Sequence, residues 1–298
     1  MLRLILTALL LTLFHPAQQQ AEPQTDRELE GLVGPVKSVS AERVEVPDDP
    51  GAKGAGRRRQ LDTVTYDERG RETSRLIYDD YGFLVGTETR TYDAAGRRAE
   101  SSLKAEEKES QSREVYSYDA ASRLAEKLTY EGGGADPLKE TYRYDARGRV
   151  AAVALSYKGQ AGGETRYRYD AAGRLAEVAF YAPGGTPAVA PVGACFSVHR
   201  LAYEYDARGR TAGERAFEPD NTLKRTTTYA YDGRGQILEE SRKDPYGTVT
   251  FRHSYEYDAR SNWTKRVTRT LHKDAYRLGN FPDHYESVAV TLRTITYY

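Results

Sequence analysis

The pair Tyr-Asp recurs at Tyr66, Tyr92, Tyr118, Tyr144, Tyr169, Tyr205, Tyr231 and Tyr257, at intervals of 26, 26, 26, 25, 36, 26 and 26 residues. A period of this size marks a repeat architecture, in which each unit hides its apolar face against its neighbours instead of building a core alone. The chain must therefore be assembled from about eight copies of one supersecondary unit.

The unit can be read from its alternation. In Thr141-Tyr142-Arg143-Tyr144-Asp145 the rings stand two residues apart, which places both on one face of an extended strand. Two permissive residues and then Gly-Arg follow the Asp, as in Asp145-Ala146-Arg147-Gly148-Arg149. Asp at the first position of a turn bonds its own downstream backbone, and Gly at the fourth supplies a positive φ. The turn residues so defined are Asp67 and Gly70, Asp93 and Gly96, Asp119, Asp145 and Gly148, Asp170 and Gly173, Asp206 and Gly209, Asp232 and Gly235, and Asp258. Ser122 and Ser261 replace the glycine in two units, and Asn262 is expected to take the left-handed conformation in the last. A second strand comes next, as in Leu124 to Tyr130 and Leu175 to Tyr181, and a stretch such as Gly132-Gly133-Gly134 returns the chain. Tyr78-Asp79-Asp80-Tyr81-Gly82 reads as the returning turn of the first unit, not as a ninth unit.

Two strands of ~7 residues and two turns account for a unit. No window holds a helical period, so the expected class is all-β: an antiparallel meander of tandem hairpins in an open or partly wound twisted sheet. The array spans 61–270, with an insertion at 182–200. Before it, 1–21 has the layout of a signal peptide: Arg3, then an apolar run from Leu4 to Phe14 that is too short to cross a bilayer, which takes ~20 residues. Residues 22–60 supply an N-terminal strand and linker. Residues 271–298 form a loop and a last strand expected to cap the edge of the sheet. The chain is thus expected to be exported, to a periplasm or beyond the cell, with no membrane span in its mature part.

Composition narrows the partners. Lys plus Arg equals Asp plus Glu, 44 against 44, so no long-range field draws the chain to nucleic acid or anionic lipid. A single cysteine, Cys195, rules out an intramolecular disulfide.

With Tyr-Asp-x-x-Gly-Arg at these positions, residues about 61 to 270 resemble the YD (Rhs) repeat family of bacterial surface and toxin-shell proteins and teneurins. Gly34-Pro35-Val36-Lys37-Ser38-Val39 and Ser261-Asn262-Trp263-Thr264-Lys265-Arg266 resemble segments of its small exported members. The resemblance implies an antiparallel sheet serving as a shell or an adhesive surface. Long members enclose a toxin; a shell of that kind needs more repeats than these, so enclosure is not the expected role.

The candidate ligand-binding residues are the paired rings Tyr116 and Tyr118, Tyr142 and Tyr144, Tyr167 and Tyr169, Tyr203 and Tyr205, Tyr229 and Tyr231, and Tyr255 and Tyr257. Their plain role is packing, since Tyr favours strands and pairs across them. Their functional role would be a surface of amphipathic rings that stacks on sugars. One turn carboxylate per unit is too few for Ca²⁺, which takes six to eight oxygens. Cys195 and His199, in the insertion, are the one place for a thiol nucleophile, but no orienting third residue accompanies them. Cys195, His199, His253, His272 and His284 lack the paired spacing of a zinc site. The expectation is no enzyme, no metal and no cofactor, but an exported scaffold or binding protein for a saccharide or an envelope protein. The alternatives are an outer-membrane β-barrel and a shell component of a toxin system. Against the former, Glu114 and Glu140 continue the Tyr116 and Tyr142 faces, whereas a lipid-facing strand is apolar at every second position.

Overall fold

The computed structural model describes residues 25–45, 57–105, 111–189, 198–273 and 284–298. One helical turn, α1 (Asp26–Leu29), precedes the strands. These are β1 (Val36–Glu45), β2 (Arg58–Tyr66), β3 (Glu72–Tyr78), β4 (Leu84–Tyr92), β5 (Arg98–Ala105), β6 (Ser112–Tyr118), β7 (Leu124–Glu131), β8 (Leu138–Tyr144) and β9 (Val150–Tyr157). There follow β10 (Gln160–Tyr169), β11 (Leu175–Tyr181), β12 (Arg200–Tyr205), β13 (Thr211–Phe217), β14 (Leu223–Tyr231), β15 (Ile237–Asp244), β16 (Gly247–Tyr257), β17 (Trp263–Lys273) and β18 (His284–Tyr297). The antiparallel meander of hairpins is as the alternation dictates.

The extent of the sheet differs from the expectation. It is not open or partly wound: it closes on itself as 18 strands. β1 pairs with β2 on one side and with β18 on the other, running from Val36 opposite Tyr297 to Glu45 opposite Ala289. β18 is also paired to β17, so it lies inside the sheet and does not cap an edge. The physical reason is that an unpaired edge exposes a row of backbone donors and acceptors, and closure satisfies them.

The described strands fall into two compact units. Within Thr91–Thr226, β5 to β9 and β10 to β13 run as successive antiparallel neighbours. The buried apolar residues here include Val153, Leu175, Val178, Phe180 and Ala216. The other unit comprises Glu22–Arg90 and Thr227–Tyr298. Its core gathers Leu32, Val36, Val39, Val64 and Tyr66, with Ile295 and Tyr297 packed against them. Burying side chains of this size stabilises by about 2 kcal/mol each.

The segment leading into β1 is fastened to the same unit. Thr25 caps α1 in a reciprocal arrangement with Glu28. Asn262 Oδ1 accepts from the Val33 amide at 2.7 Å, and its Nδ2 donates to the Val33 carbonyl at 2.8 Å. Asn262 is thus a bracket for the N-terminal segment, and the left-handed residue of that turn is Ser261, at φ 68°. This corrects the expectation that Asn262 would adopt it. Ser122 is likewise left-handed, at φ 61°, where Gly148 sits at 75° in its own unit. The segment Tyr78 to Gly82 is the turn between β3 and β4, as its sequence implies, with the Asp79 amide donating to the Phe83 carbonyl.

Candidate functional site

Each repeat turn is closed in the same way. In the unit at Asp145, the Gly148 amide donates to the Asp145 carbonyl at 2.9 Å, and Oδ1 of Asp145 accepts the Arg147 and Arg149 amides. Arg149 then returns through its Nε to Oδ2 at 2.8 Å. Asp67, Asp93, Asp119, Asp170 and Asp206 hold their arginines in the same manner. The Arg97, Arg123, Arg149 and Arg174 side chains, with the amides of the same residues, hold the Asp93, Asp119, Asp145 and Asp170 carboxyls below the ordinary Asp range.

These arginines also reach the next unit. Arg97 lies 4.4 Å from the Tyr118 ring centroid, Arg123 4.4 Å from Tyr144, Arg149 4.2 Å from Tyr169 and Arg174 4.5 Å from Tyr205. The same tyrosines donate their hydroxyls backwards: Tyr118 to the Arg98 carbonyl, Tyr144 to Leu124, Tyr169 to Val150 and Tyr205 to Leu175. A turn and the following Tyr therefore form one staple between consecutive units. Where the arginine is missing the staple is rebuilt. At Asp232, Gln236 stands in its place, Arg234 stacks on Tyr257 at 4.2 Å, and the Tyr257 hydroxyl donates to Asp232. At Asp258, Arg260 stacks on Tyr297, whose hydroxyl donates to Asp258.

The first tyrosine of each pair has other partners. Tyr116 and Tyr142 donate to Glu114 and Glu140. Between those carboxylates, directly across from Tyr116 in β7, lies Lys127, with Nζ 2.7 Å from Glu140 and 3.4 Å from Glu114. All three charged residues are buried. Burial disfavours the Lys127 ammonium, yet Glu114 and Glu140 together hold its pKa above the ordinary lysine value. Burial, with Glu114 and Glu140 adding to it, raises the Tyr116 and Tyr142 hydroxyls; burial pushes Tyr167 up to about 12. Tyr255 donates to the Ile237 carbonyl, and Tyr203, Tyr229 and Tyr231 are half-buried.

The structure thus gathers the candidate tyrosines on one half-buried face of the sheet, and most of their hydroxyls are bonded to the protein itself. The residue between each pair, Ser117, Arg143, Arg168, Glu204, Ala230 or Glu256, is exposed on the opposite face. In the insertion, His199 is buried, its Nδ1 3.0 Å from the Ala188 carbonyl and its ring edge-on to Tyr181. It fastens the described start of the insertion at Ala188. Cys195 and the rest of 190–197 lie outside the described residues. Among the described residues no three His, Cys, Asp or Glu side chains gather to hold a metal ion.

Sequence reasoning did not find Lys127. Its signal was present in the alternation Glu126-Lys127-Leu128-Thr129, but assigning it needs the register of three strands. The opposite face carries a further cluster that no motif announces: Arg143, Arg166, Arg168 and Arg200 around Glu164 and Glu177.

Stapled hairpins in tandem define a repeat-built β-sheet protein whose motif residues hold unit to unit. The Teneurin YD-shell family matches residues 63–279, and the chain belongs to that family. No curated protein matches it significantly. Among solved structures, a porin-like protein from Bacteroides uniformis is similar at a TM-score of 0.45 and 10% identity, over 89% of this chain and 99% of that one. The TcdB2-TccC3 structure is similar at a TM-score of 0.31 and 11% identity, over 87% of this chain and 20% of that one.

Proposed function

We propose that this protein is an exported, non-enzymatic shell-type scaffold of the periplasm or cell exterior, one that displays a binding surface for a saccharide or an envelope protein. The observation that carries this reading is the use of the motif residues: turn Asp, turn Arg and second Tyr are engaged with one another across consecutive units. Such residues build a surface and leave its recognition to the positions between them.

The same geometry argues against an outer-membrane β-barrel. Along β8 and β10 the face away from the tyrosines carries Lys139, Thr141 and Arg143, and Glu164, Arg166 and Arg168. The tyrosine face carries buried Glu114, Lys127 and Glu140. Neither face offers the apolar band that lipid requires.

The test is the signal-cleaved chain in buffer without detergent. A monodisperse, sheet-rich protein that produces no conductance in a planar bilayer supports the scaffold. A chain that folds only with detergent and conducts ions refutes it in favour of the membrane barrel.

A further inference from the structure

One row of paired residues crosses the exposed face of the Thr91–Thr226 unit. Arg143 in β8 is opposite Ala152 in β9, which is opposite Arg166 in β10; Arg166 is opposite Ala179 in β11, and Ala179 opposite Arg200 in β12. The two alanines are buried and form a methyl floor; the groove over them, lined by Arg143, Arg166 and Arg168, is about 430 Å³ in volume, and Arg200 flanks it beyond Ala179. Neighbouring strands lie ~4.8 Å apart, so guanidinium groups recur about every 10 Å across it.

Charge in the groove and on its Arg200 flank is not balanced. Glu164 is shared by Arg143 and Arg166, and Glu177 by Arg168 and Arg200. Two positive charges are left over. Aromatic rings hold two of the arginines in place: Arg166 lies 4.1 Å from the Tyr181 centroid and Arg200 3.8 Å from that of Phe217. A guanidinium stacked on a ring keeps its edge donors directed outward in a fixed plane, which suits a carboxylate. Arg143 and Arg168, with side chains 59% and 77% exposed, have donors open to solvent.

We infer that this groove, lined by Arg143, Arg166 and Arg168 over Ala152 and Ala179 and flanked by Arg200, binds a carboxylate-bearing acidic polysaccharide. The arginine edges receive the uronate carboxylates, and Glu164 and Glu177 accept from sugar hydroxyls. A peptide fits less well. The groove lies on the face of paired strands, where backbone groups are already bonded in the ladder, so the amides of an extended peptide would find few partners. The inference rests on the saccharide-binding part of the proposed function and names the class of saccharide; the scaffold itself is tested separately by folding without detergent.

The experiment is calorimetric titration of the signal-cleaved protein with polygalacturonate, neutral dextran and poly-glutamate, each at low and high salt. The expected result is binding of polygalacturonate that weakens with salt, with no binding of dextran. The double variant R143A/R168A should bind roughly tenfold or more weakly, while R113A, an exposed arginine on the same face outside the groove, should bind as wild type. Circular dichroism and thermal melting establish that both variants are folded. Absence of polygalacturonate binding, equal binding by folded R143A/R168A, or tighter binding of poly-glutamate than of polygalacturonate overturns the inference.

Discussion

Replacing Lys127 by Met leaves two buried carboxylates facing each other across β7 with no cation between them. Lys127 Nζ is 2.7 Å from Glu140 and 3.4 Å from Glu114, and its side chain is 9% exposed, so solvent does little to screen the loss. Removing one partner from a buried ionic cluster costs about 3 to 5 kcal/mol, because the remaining charge is uncompensated. A Tm drop of roughly 10 °C at pH 7 follows for a cooperative unit of this size. The sign of the pH dependence is fixed by the raised pKa of Lys127: its contribution is fully present below the unfolded lysine value and is lost as pH rises through the folded one. At neutral pH the wild type therefore has the whole contribution and K127M has none of it. As pH rises through the folded lysine value the wild type loses the same charge, and the deficit narrows. The triple variant K127M/E114Q/E140Q, in which the amide oxygens still accept from Tyr116 and Tyr142, should recover most of the stability. Thermal melts at several pH values are the assay. An unchanged Tm for K127M at pH 7, or a deficit that does not narrow in alkali, would refute the reasoning.

Ser122→Gly should stabilise the fold by about 1 kcal/mol in chemical denaturation, since Ser122 is held at φ 61° where glycine meets no steric penalty. Asn262→Ala removes the two bonds to Val33 and one to Tyr297, from a side chain that is almost wholly buried; it should cost about 2 to 3 kcal/mol and make residues 25–36 more open to proteolysis and amide exchange. The turn carboxyls Asp93, Asp119, Asp145 and Asp170 are held below the ordinary Asp value. Their contribution is present above that value and is lost as pH falls through the lowered one, so R123K and R149K should move the acid-unfolding midpoint to higher pH in a circular-dichroism titration.

The parts of the fold legible in the sequence are those that short windows encode. A Tyr at every second position names a strand, and Asp followed three residues later by Gly names its turn, so the hairpins came out where the pattern put them. The pairing of β1 with β18 brings Ser38 to Thr296, 258 residues away, and nothing local specifies it. The turn arginine could be matched to its own Asp by spacing, but its stacking on the next unit's tyrosine depends on the offset between hairpins. The same limit concealed Lys127 and the row from Arg143 to Arg200, whose members sit on three or more strands. Asn262 shows the limit at a single turn. Its side chain suits a left-handed residue, yet the bonds it makes to Val33 assign it elsewhere, and Ser261 takes the strained position.

The pairing of the first strand with the last has a kinetic consequence. Hairpins close loops of a few residues, whereas joining β1 to β18 directly would close a loop of some 250, which costs about 3 kcal/mol more in chain entropy. Each hairpin formed first shortens the free chain left to close, so this contact belongs to the end of the folding sequence, and until then the two strands are unpaired edges open to association with another copy. Refolding yield should therefore fall with protein concentration. A circular permutant that joins residues 25 and 298 and opens at the exposed turn 183–185 turns the slowest contact into a local one, and should refold faster than the natural order.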